Sequence, residues 1–332
     1  MKTAEEVCSI AAGKAEATAS RDGSRFVRLL RDALYLAPSP ILDFAAWWVR
    51  SSPLRTGAGT LADKVVSPVA RRRGAAKVIR TADGLELLVN PSRSDLVQLY
   101  LYMFRVWEPV ITAWLKTVLK PGDVVVDVGA NIGYYTTLAA KAVGPTGRVI
   151  AIEPFPETFT ALRDNVRRNG LTNVELVNAA VGDGAVLSLY QDPSGALGTI
   201  SMLQQPGWKH VADVPTTTIE KIVAPDLRGR LRLVKIDAEG AEDIALRSMG
   251  GLLDLTNDKL TLLVECGPSE RQASVTSLLK EKGFGLKGIR NYYGVDDYVR
   301  PPRVKLEMLA EQLTSQIDVV ATRRSGDLQV VE

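Results

Sequence analysis

The sequence has few of the residues on which metal and disulfide chemistry depend. Its 332 residues include two cysteines, Cys8 and Cys266, and a single histidine, His210. Two distant cysteines without a Cys-x-x-Cys spacing exclude a disulfide scaffold and a cysteine zinc site. One histidine excludes a metal centre that needs two. We therefore expect carboxylates to perform most of the polar chemistry and a reducing cytoplasm to be the compartment.

An excess of one charge and a long apolar run are also missing. The 41 Lys and Arg are interspersed with 38 Asp and Glu, so the charge pattern demands no nucleic-acid partner. No run reaches the roughly 18 apolar residues of a membrane-spanning helix, and the N-terminus lacks the order of a signal peptide. Residues 41–49, ILDFAAWWV, are expected to form a helix packed on its own domain rather than one lying on a membrane.

Two parts of the chain differ in pattern. Residues 1–76 contain short helical segments interrupted by prolines and end in three arginines at 71–73, which predicts a helical N-terminal extension. Its role is open: it could cover the catalytic domain, form an oligomer or contact a membrane. Residues 77–332 are predicted to form the second domain, with a small β-rich insertion at about 184–220 over the carboxyl edge of its sheet.

Apolar strands alternate with amphipathic helices after residue 121, which is typical of a parallel sheet covered on both faces. The predicted fold class is therefore α/β, a doubly wound and mostly parallel sheet of seven strands. The predicted strands are 124–128, 148–153, 174–181, 232–237, 261–265, 284–289 and 317–322.

The first of these strands runs directly into a glycine-containing turn and a helix. Gly129 and Gly133 would let a ligand approach the backbone closely, at the sheet edge where doubly wound folds bind nucleotides. The fuller G-x-G-x-x-G pattern of dinucleotide sites is absent, which disfavours an NAD-dependent oxidoreductase.

Two carboxylates indicate a different ligand. Asp127 lies within the end of the strand, where it would repel a pyrophosphate and attract an ammonium group. Glu153 ends the next strand, where an acidic residue accepts hydrogen bonds from ribose hydroxyls. Both at this spacing, with Asn131 between them, predict S-adenosylmethionine, which has an amino acid at one end and a nucleoside at the other.

Three longer segments resemble the FkbM-type methyltransferase family. They are DVGANIGYYTTLAAKAVGPTGRVIAIEPFPETFTALRDNVRRNG, VNAAVGD and LVKIDAEGAEDIALRSM, and the resemblance extends over about residues 77–322. It implies the seven-stranded, Rossmann-like class I methyltransferase sheet. It also implies S-adenosylmethionine-dependent O-methylation of a hydroxyl on a sugar, a glycolipid or glycan precursor, or a polyketide-like product.

The resemblance further implies roles for individual residues at the cofactor. Asp127 and Gly129 would line its methionine end, Asn131 and Gly133 would shape the turn, Glu153 would hold the ribose, and Phe155 and Asp183 would contact the adenine.

The acceptor is expected at the ends of the fourth and fifth strands. Alternation would place Lys235, Asp237 and Glu239 on one side if the extended conformation persists, with Lys235 pairing one carboxylate. Asp237 and Glu265 are the candidates for a general base, for binding hydroxyls, or for holding Mg²⁺ through oxygen ligands. His210, in the insertion, is a further candidate base.

Rival functions remain at this point. Amine methylation on nucleic acid is disfavoured because the fourth strand is followed by Asp237-Ala-Glu-Gly instead of an Asn- or Asp-Pro-Pro-aromatic motif. A non-catalytic scaffold that binds cofactor within a biosynthetic complex is the alternative from another class. The expected partner is a small-molecule or glycan acceptor, and an oligomer is possible.

Overall fold

The protein is described here from a computed structural model. The structure describes residues 21–37, 39–51, 58–92, 95–183, 186–193, 195, 200–255, 259–267, 270–309 and 316–324. Contacts divide the chain into two compact units, Met1–Pro109 with Tyr292–Pro302 and Val110–Asn291 with Arg303–Glu332. That residues 77–332 fold as a domain on their own stays a prediction.

The first unit consists of helices and one hairpin, in agreement with the predicted helical extension. Its helices are α1 Arg21–Leu36, α2 Ser39–Ser51, α3 Ala58–Leu61, α4 Ser67–Arg73, α5 Leu96–Phe104 and α12 Val295–Val299, with a π-helical turn at Ala62–Val66. The hairpin pairs β1 Lys77–Arg80 with β2 Glu86–Val89 in antiparallel register. Helix α6, Pro109–Val118, begins at the boundary between the two units.

The second unit is built on one mixed sheet. Its strands are β3 Val124–Val128, β4 Arg148–Ile152, β5 Val174–Val177, β10 Leu231–Ile236, β11 Thr261–Cys266, β12 Gly285–Ile289, β13 Leu306–Glu307 and β14 Ile317–Thr322. Their order is β13-β12-β14-β11-β10-β3-β4-β5. The five strands from β5 to β11 are parallel, and β14 is antiparallel to both of its neighbours. The α/β class is confirmed.

The predicted count of seven strands is one too low. The additional strand, β13, has only two residues, and it pairs with Gly288 and Ile289 at the edge of the sheet. Two residues are too few to produce the period-2 pattern by which a strand is recognised in a sequence.

Helices and short strands complete this unit. The remaining helices are α7 Tyr134–Val143, α8 Pro156–Arg168, α9 Ile219–Ile222, α10 Glu242–Arg247 and α11 Glu270–Glu281, with 3₁₀ turns at Pro225–Arg230 and Gly250–Asp254. The predicted insertion contains an antiparallel hairpin of β7 Leu187–Gln191 and β8 Lys209–Val214. The prediction of one strand over 174–181 is wrong, because β5 ends at Val177 and β6, Ala180–Val181, pairs instead with β9, Thr216–Thr217.

The break after β5 has a visible cause. The side-chain amide of Asn178 donates to the carbonyls of Glu153, at 2.8 Å, and Pro154, at 3.0 Å. These bonds connect the end of β5 to the loop that follows β4. The third strand thus ends where it supports the loop that contains Glu153.

Candidate active site

The turn after β3 is attached to the strands on both of its sides. The N–H groups of Gly129 and Ala130 both donate to the carbonyl of Ile152 at 3.0 Å, and the N–H of Asp237 donates to Val128 at 3.1 Å. Gly129 has φ +75°, and a Cβ at this position would lie 1.8 Å from the carbonyl oxygen of Asp237. Both its conformation and the close approach therefore require glycine.

The next residues complete the turn with side-chain bonds. Asn131 adopts φ +50°, a conformation that asparagine tolerates better than most residues. Its Oδ1 accepts from the N–H of Ile132 at 2.7 Å. Asn165 of α8 donates to the Ile132 carbonyl at 2.8 Å. Gly133, at φ +92°, precedes α7, and a Cβ there would lie 2.6 Å from Leu162 Cδ1.

Glu153 links this turn to the end of β4. Its Oε2 accepts from the N–H of Asn131 at 2.9 Å and its Oε1 accepts from the N–H of Phe155 at 3.0 Å. The residue is 7% exposed. Burial raises the pKa of Glu153 to about 7, although the two backbone N–H groups act in the opposite direction. The carboxylate of Glu153 thus fixes the turn after β3 relative to the loop after β4. Any ligand that binds between them would meet a preformed site.

Asp127 is buried and only partly satisfied. Its Oδ2 accepts from the hydroxyl of Thr136 at 2.6 Å. Its Oδ1 is buried and accepts no hydrogen bond within the part of the chain that the structure describes. Burial raises the pKa of Asp127, while the ammonium group of Lys235 lowers it. A cation placed at Oδ1 would supply the interaction that this carboxylate is missing.

Lys235 and Asp237 form a pair at the end of β10. Lys235 Nζ lies 2.8 Å from Asp237 Oδ2 and 5.0 Å from the centre of the Tyr135 ring. The Lys235 side chain is 5% exposed, whereas that of Asp237 is 31% exposed. Lys235 also lies directly beside Asp127 in the register of β10 and β3. The predicted pairing of Lys235 is therefore present, and Lys235 also neighbours Asp127 near the end of β3.

The turn that follows Asp237 differs from the extended chain that we expected. Glu239 has φ +48°, so the extended conformation does not persist beyond Asp237 and the condition for placing Glu239 on one side with Lys235 and Asp237 is not met. Glu242 was not among the predicted site residues. Its carboxylate accepts from the N–H groups of Ala238 at 3.2 Å and Gly240 at 2.9 Å. Its place in the segment DAEGAE was the available signal, since a carboxylate that close can satisfy turn amides.

The end of β11 lies next to the end of β10. Ile236 is paired with Val264, so Asp237 and Glu265 are the next residues on neighbouring strands. Glu265 is paired with Asp318 of β14, and its carboxylate accepts from the side-chain amide of Gln316. The structure brings both predicted carboxylates to one edge of the sheet, and each is already bonded to a nitrogen donor.

A magnesium site at these carboxylates is not supported. Among the described residues no group of three or more His, Cys, Asp or Glu side chains is arranged to hold a metal ion. The ammonium group of Lys235 and the amide of Gln316 occupy the positions where a cation would compete.

The other candidates lie in more exposed places. His210 is on β8, about half exposed, and its Nε2 is 2.9 Å from Asp213 Oδ1. Phe155 packs with Ala180, Leu189 and Val214, so it joins the insertion to the loop after β4. Asp183 is exposed.

Comparison with known proteins identifies the domain. Residues 127–286 match the model of the methyltransferase FkbM domain. The chain contains an FkbM methyltransferase domain. The matched residues begin at Asp127, within β3, and include the turn after β3, the insertion and the turn after β10. The mixed sheet of the second unit, which extends beyond the matched residues, has the predicted class I methyltransferase fold.

Relatives of the FkbM domain differ in what they are named for. A protein-L-isoaspartate O-methyltransferase of Aeropyrum pernix is 44% identical over 66 residues, which are 20% of this chain and 25% of that protein. Methyltransferase 1 of Beauveria bassiana is 28% identical over 207 residues, covering 56% of this chain and 79% of that protein. Several curated relatives are matched over only 16–29% of their own length.

A solved structure is also similar. The methyltransferase FkbM from Methylobacillus flagellatus KT is 14% identical, with a TM-score of 0.38, over 69% of this chain and 56% of that one. In the described part of this chain no helix is long and apolar enough to cross a membrane.

Proposed function

We propose that the protein is an S-adenosylmethionine-dependent O-methyltransferase that acts on a hydroxyl of a sugar, a glycolipid or glycan precursor, or a polyketide-like molecule. The observation that supports it most directly is the buried, unpartnered Oδ1 of Asp127 at the start of the FkbM domain. An α-ammonium group is a cation of the size and charge that this oxygen requires.

The remaining residues of the turn fit the rest of that cofactor. Asp127 and Gly129 would hold the methionine end, Asn131 and Gly133 would shape the turn, and Glu153 would accept from the ribose hydroxyls. Phe155 would pack near the adenine, with Asp183 at its edge. When bound, the cofactor supplies an electrophilic methyl carbon, so the protein has only to align the acceptor and accept its proton.

We assign proton acceptance to Asp237. Its carboxylate is the more exposed partner of a pair whose other member, Lys235, is buried. Lys235 holds Asp237 in place, and Glu265 on the adjoining strand would bind a neighbouring hydroxyl. We assign no proton-transfer step to His210, whose ring is about half exposed and pairs with Asp213 on the same strand, β8.

Cofactor binding tests the first part of the proposal. We expect calorimetry to show that S-adenosylhomocysteine binds and that NAD does not. Asp127→Asn should weaken binding at least about tenfold, the value of one charged hydrogen bond, whereas Asp226→Asn, at an exposed carboxylate, should leave it unchanged. Binding of NAD, or equal affinity in both variants, would contradict the assignment.

Methyl transfer tests the second part. Once an acceptor is found among sugar and polyketide hydroxyls, Asp237→Asn and Glu265→Gln should each reduce turnover while S-adenosylhomocysteine still binds. Asp254→Asn, at an exposed surface carboxylate, is the matched control. Full turnover in both variants would place the acceptor elsewhere, and turnover on RNA or DNA oligonucleotides alone would favour the rival function.

A further inference from the structure

Helix α2 has apolar residues on two sides. One side is buried within the first unit through Leu42, Ala45, Ala46, Trp48 and Val49, which confirms the prediction that this helix packs on its own part of the chain. The opposite side presents Ile41, Phe44 and Trp47 at three-residue spacing. Ile41 is 38% exposed and Trp47 is 46% exposed, and the rings of Phe44 and Trp47 lie 5.3 Å apart.

The charged residues of α2 do not cover this outer side. Asp43 accepts from Lys77 at 2.5 Å and from the hydroxyl of Tyr102 at 2.7 Å. Arg50 donates to the carbonyl of Met103 at 3.3 Å. Both side chains are thus bonded to residues of the same unit, and Ile41 and Trp47 remain 38% and 46% exposed within the part of the chain that the structure describes.

Helix α1 also has exposed apolar residues. Leu29 is 61% exposed and Leu36 is 88% exposed, seven residues apart and therefore on one side of the helix. Leu36 is separated from Ile41 by only four residues of chain. We refer to Leu29, Leu36, Ile41, Phe44 and Trp47 as the outer apolar face.

Basic residues flank the outer apolar face. Arg73 donates to the carbonyls of Leu34 and Ala37 at the end of α1, and the Arg72 guanidinium lies 5.6 Å from the centre of the Tyr35 ring. Arg72 and Arg73 line an open concavity together with Asp32, Tyr35 and Leu36. Residues 21–73 contain ten basic and four acidic residues, so the remainder of the chain is net negative.

We propose that the outer apolar face docks the protein on an anionic lipid surface. Aliphatic side chains and a tryptophan beside arginines are what an interfacial helix presents to acyl chains and acidic headgroups. A lipid surface needs no matching groove, so scattered exposed apolar side chains on two consecutive helices are sufficient for it. Residues 21–73 have a net positive charge whereas the rest of the chain has a net negative one, which selects a negatively charged surface. This inference does not depend on the proposed function.

Vesicle co-sedimentation of the full chain tests the docking. We expect binding to vesicles of phosphatidylcholine mixed with phosphatidylglycerol, little binding to phosphatidylcholine alone, and release at high salt. The double variant Leu36→Ser, Trp47→Ser should lower the partition coefficient about tenfold or more, as loss of buried apolar groups predicts. Leu36 is 88% exposed and Trp47 is 46% exposed, so the variant should still unfold in one cooperative transition, with a melting temperature only slightly below that of the unaltered chain.

Matched variants test whether vesicle binding is specific to the outer apolar face or is caused by any exposed apolar residue. Val186→Ser with Met308→Ser removes two exposed apolar residues of the second unit, 68% and 77% exposed, and should leave partitioning unchanged. Arg28→Gln with Arg72→Gln should weaken binding to the anionic vesicles, whereas Arg167→Gln with Arg168→Gln on α8 should not.

Three outcomes would overturn the proposal. One is the absence of binding to any vesicle, and another is an equal loss in the control variants. The third is a dimer, seen by sedimentation velocity, that the Leu36→Ser, Trp47→Ser variant dissociates without any vesicle binding, since the face would then cover a second copy of the chain.

Discussion

The two ends of the candidate site are built differently. At the ends of β3 and β4, several hydrogen bonds fix the two loops. Two of these bonds are accepted by the buried carboxylate of Glu153, one by each oxygen. At the ends of β10 and β11, Asp237 is paired with Lys235 and Glu265 accepts from Gln316, and the Asp237 side chain is about one third exposed. We call the first region the preformed end and the second the acceptor end.

The proposed function accounts for this difference. A cofactor of constant structure benefits from a preformed site, because ordering a loop on binding costs affinity. An acceptor of variable structure is better served by groups that are near solvent and that the insertion can approach. The hydroxyl of Ser201, in the insertion, donates to the carbonyl of Glu239 at 2.7 Å, so the insertion does contact the turn after β10.

At the preformed end, adding a single methyl group should already destabilise the fold. Gly129→Ala places a Cβ 1.8 Å from the Asp237 carbonyl at φ +75°, and we expect a loss of about 3 kcal/mol in unfolding free energy. Gly170→Ala has a similar φ, +62°, with nothing within 4 Å, and should lose only about 1 kcal/mol. Urea unfolding measures both, and equal losses would show that the two strand ends are not in close contact.

The acceptor end should depend on the ion pair between Lys235 and Asp237. Lys235→Met leaves the carboxylates of Asp127 and Asp237 without their shared cation, and we expect a loss of about 2 kcal/mol, less than for a fully buried pair because Asp237 reaches water. Lys280→Met, on the exposed side of α11, is the control. Adding Asp237→Asn to Lys235→Met should recover part of the loss, and strictly additive losses would show that the pair is not coupled.

The sequence predicted the preformed end in more detail than the acceptor end. Gly129, Asp127 and Glu153 are recognisable because strand ends and glycines have strong local patterns. Glu242 and the end of β5 at Val177 were missed because each depends on a hydrogen bond formed after folding, to turn amides in one case and through Asn178 in the other. The two-residue strand β13 has no pattern at all. The loop conformations that the sequence did not predict are therefore those that depend on side-chain hydrogen bonds formed in the folded protein.

Acid–base behaviour should distinguish the two ends as well. Burial raises the pKa of Glu153 to about 7 from an ordinary value of 4.5, so its ionisation destabilises the fold as pH rises between these values. Cofactor affinity should change in the opposite direction, because the ionised carboxylate accepts hydroxyl bonds better. We expect S-adenosylhomocysteine to bind about tenfold tighter at pH 8 than at pH 5.5.

The variant Glu153→Gln checks the origin of that pH dependence. It should bind the ligand weakly at every pH and lose most of the pH dependence of both affinity and melting temperature. Glu175→Gln, at an exposed salt bridge with Arg148, should retain the wild-type profiles. A profile that survives in Glu153→Gln would assign the titration to Asp127, whose pKa burial also raises.

The smallest effect is expected for the one histidine. The His210–Asp213 pair is more than half exposed on both sides, and pairs of that kind add little to stability. If Asp237 accepts the proton, His210→Gln should change turnover by no more than about twofold, since only general acid–base groups lose about a hundredfold or more. Turnover measured from pH 6 to 9 is the check. If His210→Gln lost a hundredfold in turnover while Asp237→Asn kept full turnover, proton acceptance would belong to the insertion and not to the sheet edge. An exposed pair with only a structural role could not account for so large an effect.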